Sequence, residues 1–279
     1  MFQPLLNKTP MSTDHILYNA QYVNEYKVPD APENDGAHIH SFYEVYVNFS
    51  GDVSFLVNNR IYPIQKGDII FTRPEDVHLC LFNGPCYHEH FCLWLDAPST
   101  SPLVSFSHEP DFHNFISPTD KERDDFLQMV LTLAHKDSEP LSELTVTTTL
   151  FEIMHFLQKH DGSPAPVSST PLPEEMQQIL TYLNNHFDQI QYINEIYDKF
   201  FISPATLTRW FRKYIHLSPK EFLESKKLAY AKTLLKNGCT VTESSMQSGF
   251  SCTSYFISVF KRKFGMTPLA YKRSPVAGE

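Results

Sequence analysis

Apolar and polar positions alternate along the first third of the chain. Between Tyr18 and about Leu95, the segments EVYVNF, SFLVNN, DIIFTR and FCLWL concentrate Val, Ile, Phe and Tyr and are parted by Gly, Asn, Asp and Pro. That is the pattern of short strands, and several at this spacing predict a small barrel or sandwich. Asn58-Asn59 and Lys66-Gly67-Asp68 stand where tight turns are needed. After Ser117 the period becomes helical. Thr119 with Glu122 has the spacing of a capping box, and Phe126, Met129, Val130 and Leu133 follow on one face. A second helix is predicted from about Pro140 to Lys159, with Leu150, Ile153, Met154 and Leu157 on one side. Two consecutive amphipathic helices either cover the strands or form a dimer seam, and the pattern leaves both open.

Residues 161–173, DGSPAPVSSTPLP, contain four prolines with Ser and Gly. No helix or central strand tolerates that composition, so the segment reads as a linker. From Glu174 onward the pattern is helical and predicts seven helices, the first marked by Met176, Ile179, Leu180, Leu183 and Phe187. Ser203-Pro204, Ser218-Pro219 and Thr267-Pro268 each place a hydroxyl at the N-cap and proline at the first helical position. Ser218 with Glu221 and Thr240 with Glu243 fit capping boxes. Gly238 and Gly249 stand where helices end and a positive φ is required.

Charge divides the chain at the same linker. The whole carries −9, but residues 1–173 hold 9 Lys+Arg against 23 Asp+Glu, whereas residues 174–279 hold 14 against 9. A basic unit joined to an acidic one is the asymmetry expected when only one of them meets phosphates. No apolar run approaches the roughly 20 residues of a membrane span. The N-terminal residues lack a basic segment followed by an apolar one, so the expected compartment is the cytoplasm. The five cysteines (Cys80, Cys86, Cys92, Cys239 and Cys252) form no CxxC pair, which predicts reduced thiols rather than a zinc finger or disulfide framework.

The basic unit repeats itself with a shift of 49 residues. Leu207 falls on Phe256, Phe211 on Phe260, Arg212-Lys213 on Lys261-Arg262, Ser218-Pro219 on Thr267-Pro268, and Phe222 on Tyr271. Each copy reads as a short helix, a turn and a helix with one apolar face and a basic C-terminal end, as major-groove binding requires. Residues 219–236 between the copies predict one helix about 27 Å long. A spacer of that size sets two recognition helices about one DNA turn (~34 Å) apart.

These residues resemble the AraC/XylS class of bacterial transcription regulators. TVTESSMQSGFSCTSYFISVFKRKFGMTPLAYKR is similar to that family's C-terminal signature, and ISPATLTRWFRKYIHLSP to its first helix-turn-helix; together they span about 100 residues. The resemblance implies base-facing positions at Ala205, Thr206, Thr208 and Arg209 in the first module, and at Thr253, Ser254, Tyr255, Ile257 and Ser258 in the second. Arg209 is the best candidate for a bidentate contact to guanine. Arg212, Lys213, Lys261 and Arg262 read as phosphate contacts or as a solvated basic face. Leu207, Trp210, Phe211, Phe256, Val259 and Phe260 are expected in the core. The sequence departs from the family's pattern in carrying Ser258 for Arg, Ser244-Ser245 for Ile-Ala, Tyr197 for Ala, His216 for Gly and Lys227 for Arg. The first module is therefore expected to dominate specificity.

In the acidic unit, His38, His40, Glu44 and Gly51 fit HxH-x3-E-x6-G, with Gly67 and His78 further on. This resembles the two motifs of the cupin barrel, whose three His and one Glu ligate a divalent metal. The second motif is incomplete, since its proline is displaced to Pro74 and Asp76 replaces a glycine. Sensor domains of AraC-type regulators look like cupins too, and often keep these residues around an effector pocket without metal. Metal ligation by His38, His40, Glu44 and His78, effector contact, and a structural hydrogen-bonded cluster all stay open. An effector pocket would use His38, His40, Glu44, Tyr46, His78 and Trp94. Phe42, Tyr43, Phe55 and Tyr62 add aromatic faces that suit sugars and other small polar molecules or serve as core. His88 and His90 are expected to be ordinary strand residues.

The expected architecture is α+β and multidomain: a cupin-like β-barrel (1–117), a helical dimerisation or cover segment (118–160), the linker (161–173) and an all-α unit with two helix-turn-helix motifs (174–279). The expected function is effector-controlled DNA binding, not catalysis. The expected partners are double-stranded DNA, a small effector, RNA polymerase and a second copy of the chain, with no membrane. No cofactor is expected apart from the divalent metal that the His/Glu set would hold. The alternatives are control by a partner protein and a cupin metalloenzyme fused to a DNA-binding unit.

Overall fold

Strands form wherever the period-two pattern was strongest. In the computed structural model, which describes residues 7–8, 17–28, 39–134, 141–161 and 172–273, they are β1 (Asn7–Lys8), β2 (Leu17–Lys27), β3 (Tyr43–Ser50), β4 (Val53–Val57), β5 (Arg60–Ile64), β6 (Ile69–Thr72), β7 (His78–Phe82), β8 (Cys86–Asp96) and β9 (Phe115–Ile116). All pairings are antiparallel. They build a six-stranded sheet, β1-β2-β8-β3-β6-β9, and a three-stranded one, β5-β4-β7. The turns fall at the two predicted places, with Asn58 at φ 54° and Gly67 at φ 81°.

The pleat gives the large sheet two different faces. Tyr43, Val45 and Val47 of β3 and Phe91, Leu93 and Leu95 of β8 point outward, into a core completed by α1 (Asp120–Ala134) and α2 (Glu143–His160) through Phe126, Val130, Leu150, Ile153, Met154 and Leu157. These helices therefore cover the sheet, one of the two roles the pattern left open. Tyr46 of β3 and Cys92 and Trp94 of β8 point inward and share a second core with Phe55, Val57, Tyr62 and Ile64 of the small sheet. Thr119 and Glu122 meet through their side chains, 2.6 Å apart, at the start of α1.

Residues 162–171 of the linker lie outside the described residues. Beyond them come α3 (Glu174–His186), α4 (Asn194–Lys199), α5 (Pro204–Tyr214), α6 (Pro219–Lys236), α7 (Val241–Gln247), α8 (Thr253–Phe264) and α9 (Pro268–Arg273). The described part of this unit thus holds the seven predicted helices. Ser203, Ser218 and Thr240 cap as read from sequence, the last two in reciprocal capping boxes. Two small cores flank α6. One gathers Ile179, Leu180, Ile196, Leu207, Phe211 and Phe222; the other gathers Leu235, Phe250, Phe256, Val259, Phe260 and Tyr271.

The two units are docked. Ile39, Leu56, Val77 and Leu79 of the β unit run into the first helical core. Lys226 Nζ donates to the Glu75 carbonyl at 2.6 Å, Thr233 Oγ1 donates to Glu75 Oε1 at 2.9 Å, and Lys236 pairs with Asp96. Asn59 and Thr181 add a side-chain bond of 2.9 Å. Buried between both helical cores and the β unit, α6 has almost no free face, and Lys226, Lys227 and Lys232 are all buried. Among the described residues, no helix is long and apolar enough to cross a membrane.

Candidate DNA-reading face and ligand pocket

Each recognition helix turns its apolar residues inward and leaves a polar face. At the start of α5, Ser203 Oγ accepts from Thr206 N at 3.1 Å and Pro204 opens the first turn. Leu207 and Phe211 are buried; Ala205, Arg209, Arg212 and Lys213 are exposed, and Thr206, Thr208 and Trp210 are half-buried. Arg209 makes no hydrogen bond or ion pair among the described residues, so its guanidinium is presented to solvent with all its donors available.

The α8 face differs. Ser254, Tyr255, Ser258, Lys261 and Arg262 are exposed, and Thr253 and Ile257 are half-buried. Several of these groups are already engaged within the protein. The Tyr255 hydroxyl donates to Glu224 of α6, Arg262 pairs with the same carboxylate at 3.6 Å, and Ser258 Oγ donates back to the Ser254 carbonyl at 3.1 Å. On the α5 face, by contrast, Arg209 has no such partner among the described residues. The other departures also find places. Lys227 donates to the carbonyls of Ile190 and Gly249, both at 2.6 Å, tying the two halves of the unit together. Ser244 and Ser245 are buried, Tyr197 is half-buried, and His216 adopts φ 58°, the left-handed turn for which glycine is usual.

A pocket of about 470 Å³ is lined by the β unit together with residues of α6 and α8. His40, Glu44, Tyr46, His78 and Trp94 line it as expected, while His38 lies outside the described residues. Phe42 and Phe55 add walls. Tyr43 does not, because it points to the opposite face of the sheet, and Tyr62 is core, stacked on Phe115 at 5.5 Å. Glu44 Oε2 sits 2.8 Å from His40 Nε2 and 3.2 Å from His78 Nε2. Burial alone would raise the Glu44 carboxyl, but the two imidazoles outweigh it and hold it well below the usual carboxylate range. Burial lowers His78 while Glu44 raises it, and the net direction is upward.

The donor set fits a divalent cation. One ligand atom from each of His40, Glu44 and His78 lies within 4.8 Å of the other two. His40 Nδ1 is bonded to the Phe42 carbonyl at 2.9 Å and His78 Nδ1 to the Asp76 carbonyl at 3.1 Å. Those bonds place the N–H on Nδ1 and direct both Nε2 atoms at the shared point, the outer-shell arrangement of metal-binding histidines.

Two further histidines belong to the pocket. His88 and His90 of β8 line it, ring on ring at 4.5 Å, and the Tyr46 hydroxyl lies 3.3 Å from His88 Nε2. Burial and the neighbouring His88 push His90 down to about 3, so it is neutral at ordinary pH. The spacing held the signal: His88, His90, Cys92 and Trp94 alternate on one face of one strand. The remaining contributors were not legible. Lys232 of α6 and Lys263 and Phe264 of α8 reach the pocket from the helical unit.

Residues 196–274 match a family model described as a helix-turn-helix domain, and residues 30–90 match one described as an AraC-like ligand binding domain. Over 245 residues the chain is 26% identical to the uncharacterized HTH-type transcriptional regulator YfiF of Bacillus subtilis (strain 168), covering 83% of this chain and 76% of that one. It is 23% identical over 246 residues to the HTH-type transcriptional activator RhaR of Salmonella schwarzengrund (strain CVM19633), covering 84% and 86%. Among solved structures, unsaturated fatty acid bound ToxT from Vibrio cholerae strain SCE256 is 15% identical and covers 96% of this chain and 98% of that one, with a TM-score of 0.38.

Proposed function

The chain belongs to the AraC-type DNA-binding transcription regulators with a ligand-binding domain, and from that membership we propose that a small effector in the 470 Å³ pocket governs how its two unequal recognition helices meet DNA. The observation that carries the proposal is the shared wall. The pocket is lined by strands of the ligand-binding unit and also by α6 and α8 of the DNA-binding unit, so a ligand there touches both. Coupling requires that the ligand bind two arrangements of the units with different affinity, and a pocket between them supplies that difference.

In this reading Arg209 makes the chief base contact, with Ala205, Thr206 and Thr208 beside it. Thr253, Ser254, Tyr255, Ile257 and Ser258 read weakly, and Arg212, Lys213, Lys261 and Arg262 hold phosphates. Leu144 and Phe151, exposed on α2, offer an apolar face to a second copy. RNA polymerase is the further partner of a cytoplasmic regulator of this kind. Competition shift assays on a site obtained by genome-wide mapping test the reading. Arg209→Ala is expected to lose about 1–3 kcal/mol of discrimination between specific and unrelated duplex, whereas Ser258→Ala changes it little. Equal losses contradict the assignment of roles.

A second reading of the pocket's deep end is favoured by the paired Nδ1 bonds: His40, Glu44 and His78 hold a divalent cation that contacts the effector. Elemental analysis of the purified protein is expected to find stoichiometric metal, lost in His78→Ala. Metal-free protein with an intact fold leaves the three residues as direct effector contacts.

A further inference from the structure

Four lysines lie on the part of α6 facing the β unit and the neighbouring helices, and three have partners. Lys226 is bonded to the Glu75 carbonyl, Lys227 to two carbonyls and Lys236 to Asp96. Lys232 is the exception. It is 3% exposed and lines the pocket, yet no described residue forms a hydrogen bond or ion pair with its ammonium. Its surroundings are aromatic: Phe264 at 4.9 Å, Tyr271 at 5.1 Å and Phe42 at 6.0 Å from ring centroid to Nζ. Such rings favour a cation without consuming its N–H donors.

Lys263 of α8 also lines the pocket; it is half-buried, and its one described hydrogen-bond partner is the Ser225 hydroxyl at 3.2 Å. The acids that line the pocket are committed elsewhere, Glu25 to Lys27 and Glu44 to His40 and His78; Asp96 pairs with Lys236, and the carboxylates acting on Lys263 are Glu221 and Glu224 of α6. A buried ammonium without an anion is costly, and burial with the charge of Lys236 pushes Lys232 down to about 7. Lys232 thus brings to the pocket a cation with no carboxylate of its own, whereas the Glu44 carboxylate is already held by two imidazoles.

We propose that the ligand is a small organic anion, a carboxylate or a phosphate ester, whose charged group binds Lys232, with Lys263 on the same pocket wall, while its apolar body lies along Phe42, Phe55 and Trp94. This rests on the effector reading above and gives that effector its chemical class and orientation. Both lysines come from the DNA-binding unit and the apolar wall comes from the β unit, so the anion joins one to the other. Its binding stabilises the docked arrangement by the amount that undocking would cost the ligand in lost contacts.

The test is calorimetric titration of the full-length chain at pH 6.5 with three matched probes: 4-phenylbutanoate, 3-phenylpropyl phosphate and the neutral 4-phenylbutanamide. The anions are expected to bind at least about tenfold more tightly than the amide, the increment of a charge-assisted hydrogen bond. Lys232→Met brings them down to the level of the amide, and Lys232→Arg retains the preference. The order of carboxylate and phosphate in the wild-type protein distinguishes the two sources of charge. Equal binding of amide and carboxylate, or an anion preference that survives in folded Lys232→Met, overturns the anion assignment and leaves an effector pocket standing. Absence of binding by all three probes contradicts both the assignment and the pocket reading.

Discussion

A lysine in a packed interior is tolerated when its donors are used, and α6 contains both outcomes. Lys227 satisfies the Ile190 and Gly249 carbonyls, so Lys227→Met leaves two buried acceptors bare at about 1–3 kcal/mol each. Denaturant unfolding is expected to show a loss of roughly 2–6 kcal/mol, with Lys227→Arg recovering most of it; a loss below about 1 kcal/mol would mean water replaces the ammonium. Lys232 behaves oppositely. Its folded-state value of about 7 lies below the ordinary 10.5. Below pH 7 both states hold the proton and the burial cost is complete. Between about 7 and 10.5 the unfolded chain keeps a proton that the folded one has released, so stability rises with pH. Lys236, Asp96 and Tyr271 face or flank this ammonium, and Lys226 and Lys227, lowered to about 8, act in the same direction. The difference between wild type and Lys232→Met isolates the one group: the wild-type melting temperature should gain on the variant from pH 7 to 10, and parallel curves would refute it. At this scale the sequence flagged Lys227 as a departure without revealing its role, because both acceptors come from loops distant in the chain. Lys232 gave no sign at all.

Elements were far more legible, because their signals are local. The capping residues, the two periods and the 18-residue span of α6 could be read from neighbouring positions alone. So could the repeat, since equivalent residues such as Phe211 and Phe260 are both fully buried. Even a single backbone atom is accounted for in this way. Gly249 ends α7 at φ 78°, where an added Cβ would lie 2.2 Å from the Asp188 carbonyl oxygen. Gly249→Ala combines left-handed strain with a backbone clash and is expected to cost more than about 1 kcal/mol of stability, read in the same denaturant assay; an unchanged midpoint would show that the α3–α4 loop moves aside freely. What the pattern could not decide was where amphipathic faces go. The apolar stripes of α1 and α2 were visible, but only the outward residues of β3 and β8 show that they cover a sheet.

At the scale of the molecule, the interface between the units was invisible in sequence, and it creates the pocket's α6 wall. The charge asymmetry, by contrast, was readable and marks which unit meets phosphates. The docking contacts can be weakened without touching either DNA face: Thr233→Val with Asp96→Ala removes the hydroxyl bond to Glu75 and the Lys236 ion pair. Small-angle scattering of that variant is expected to show a larger radius of gyration than wild type, and an unchanged radius would assign the docking energy to the apolar contacts around Leu56 and Val77. The central claim concerns the DNA itself, that one strong and one weak reader lie about one helical turn apart, ~34 Å. Selection of bound sequences from randomised duplexes, with wild type and Arg209→Ala in parallel, tests it most directly. A bipartite site is expected, with one well-defined half that loses its sequence preference in Arg209→Ala and one poorly defined half that does not. Enrichment of two equal halves, or of no sequence at all, would contradict it.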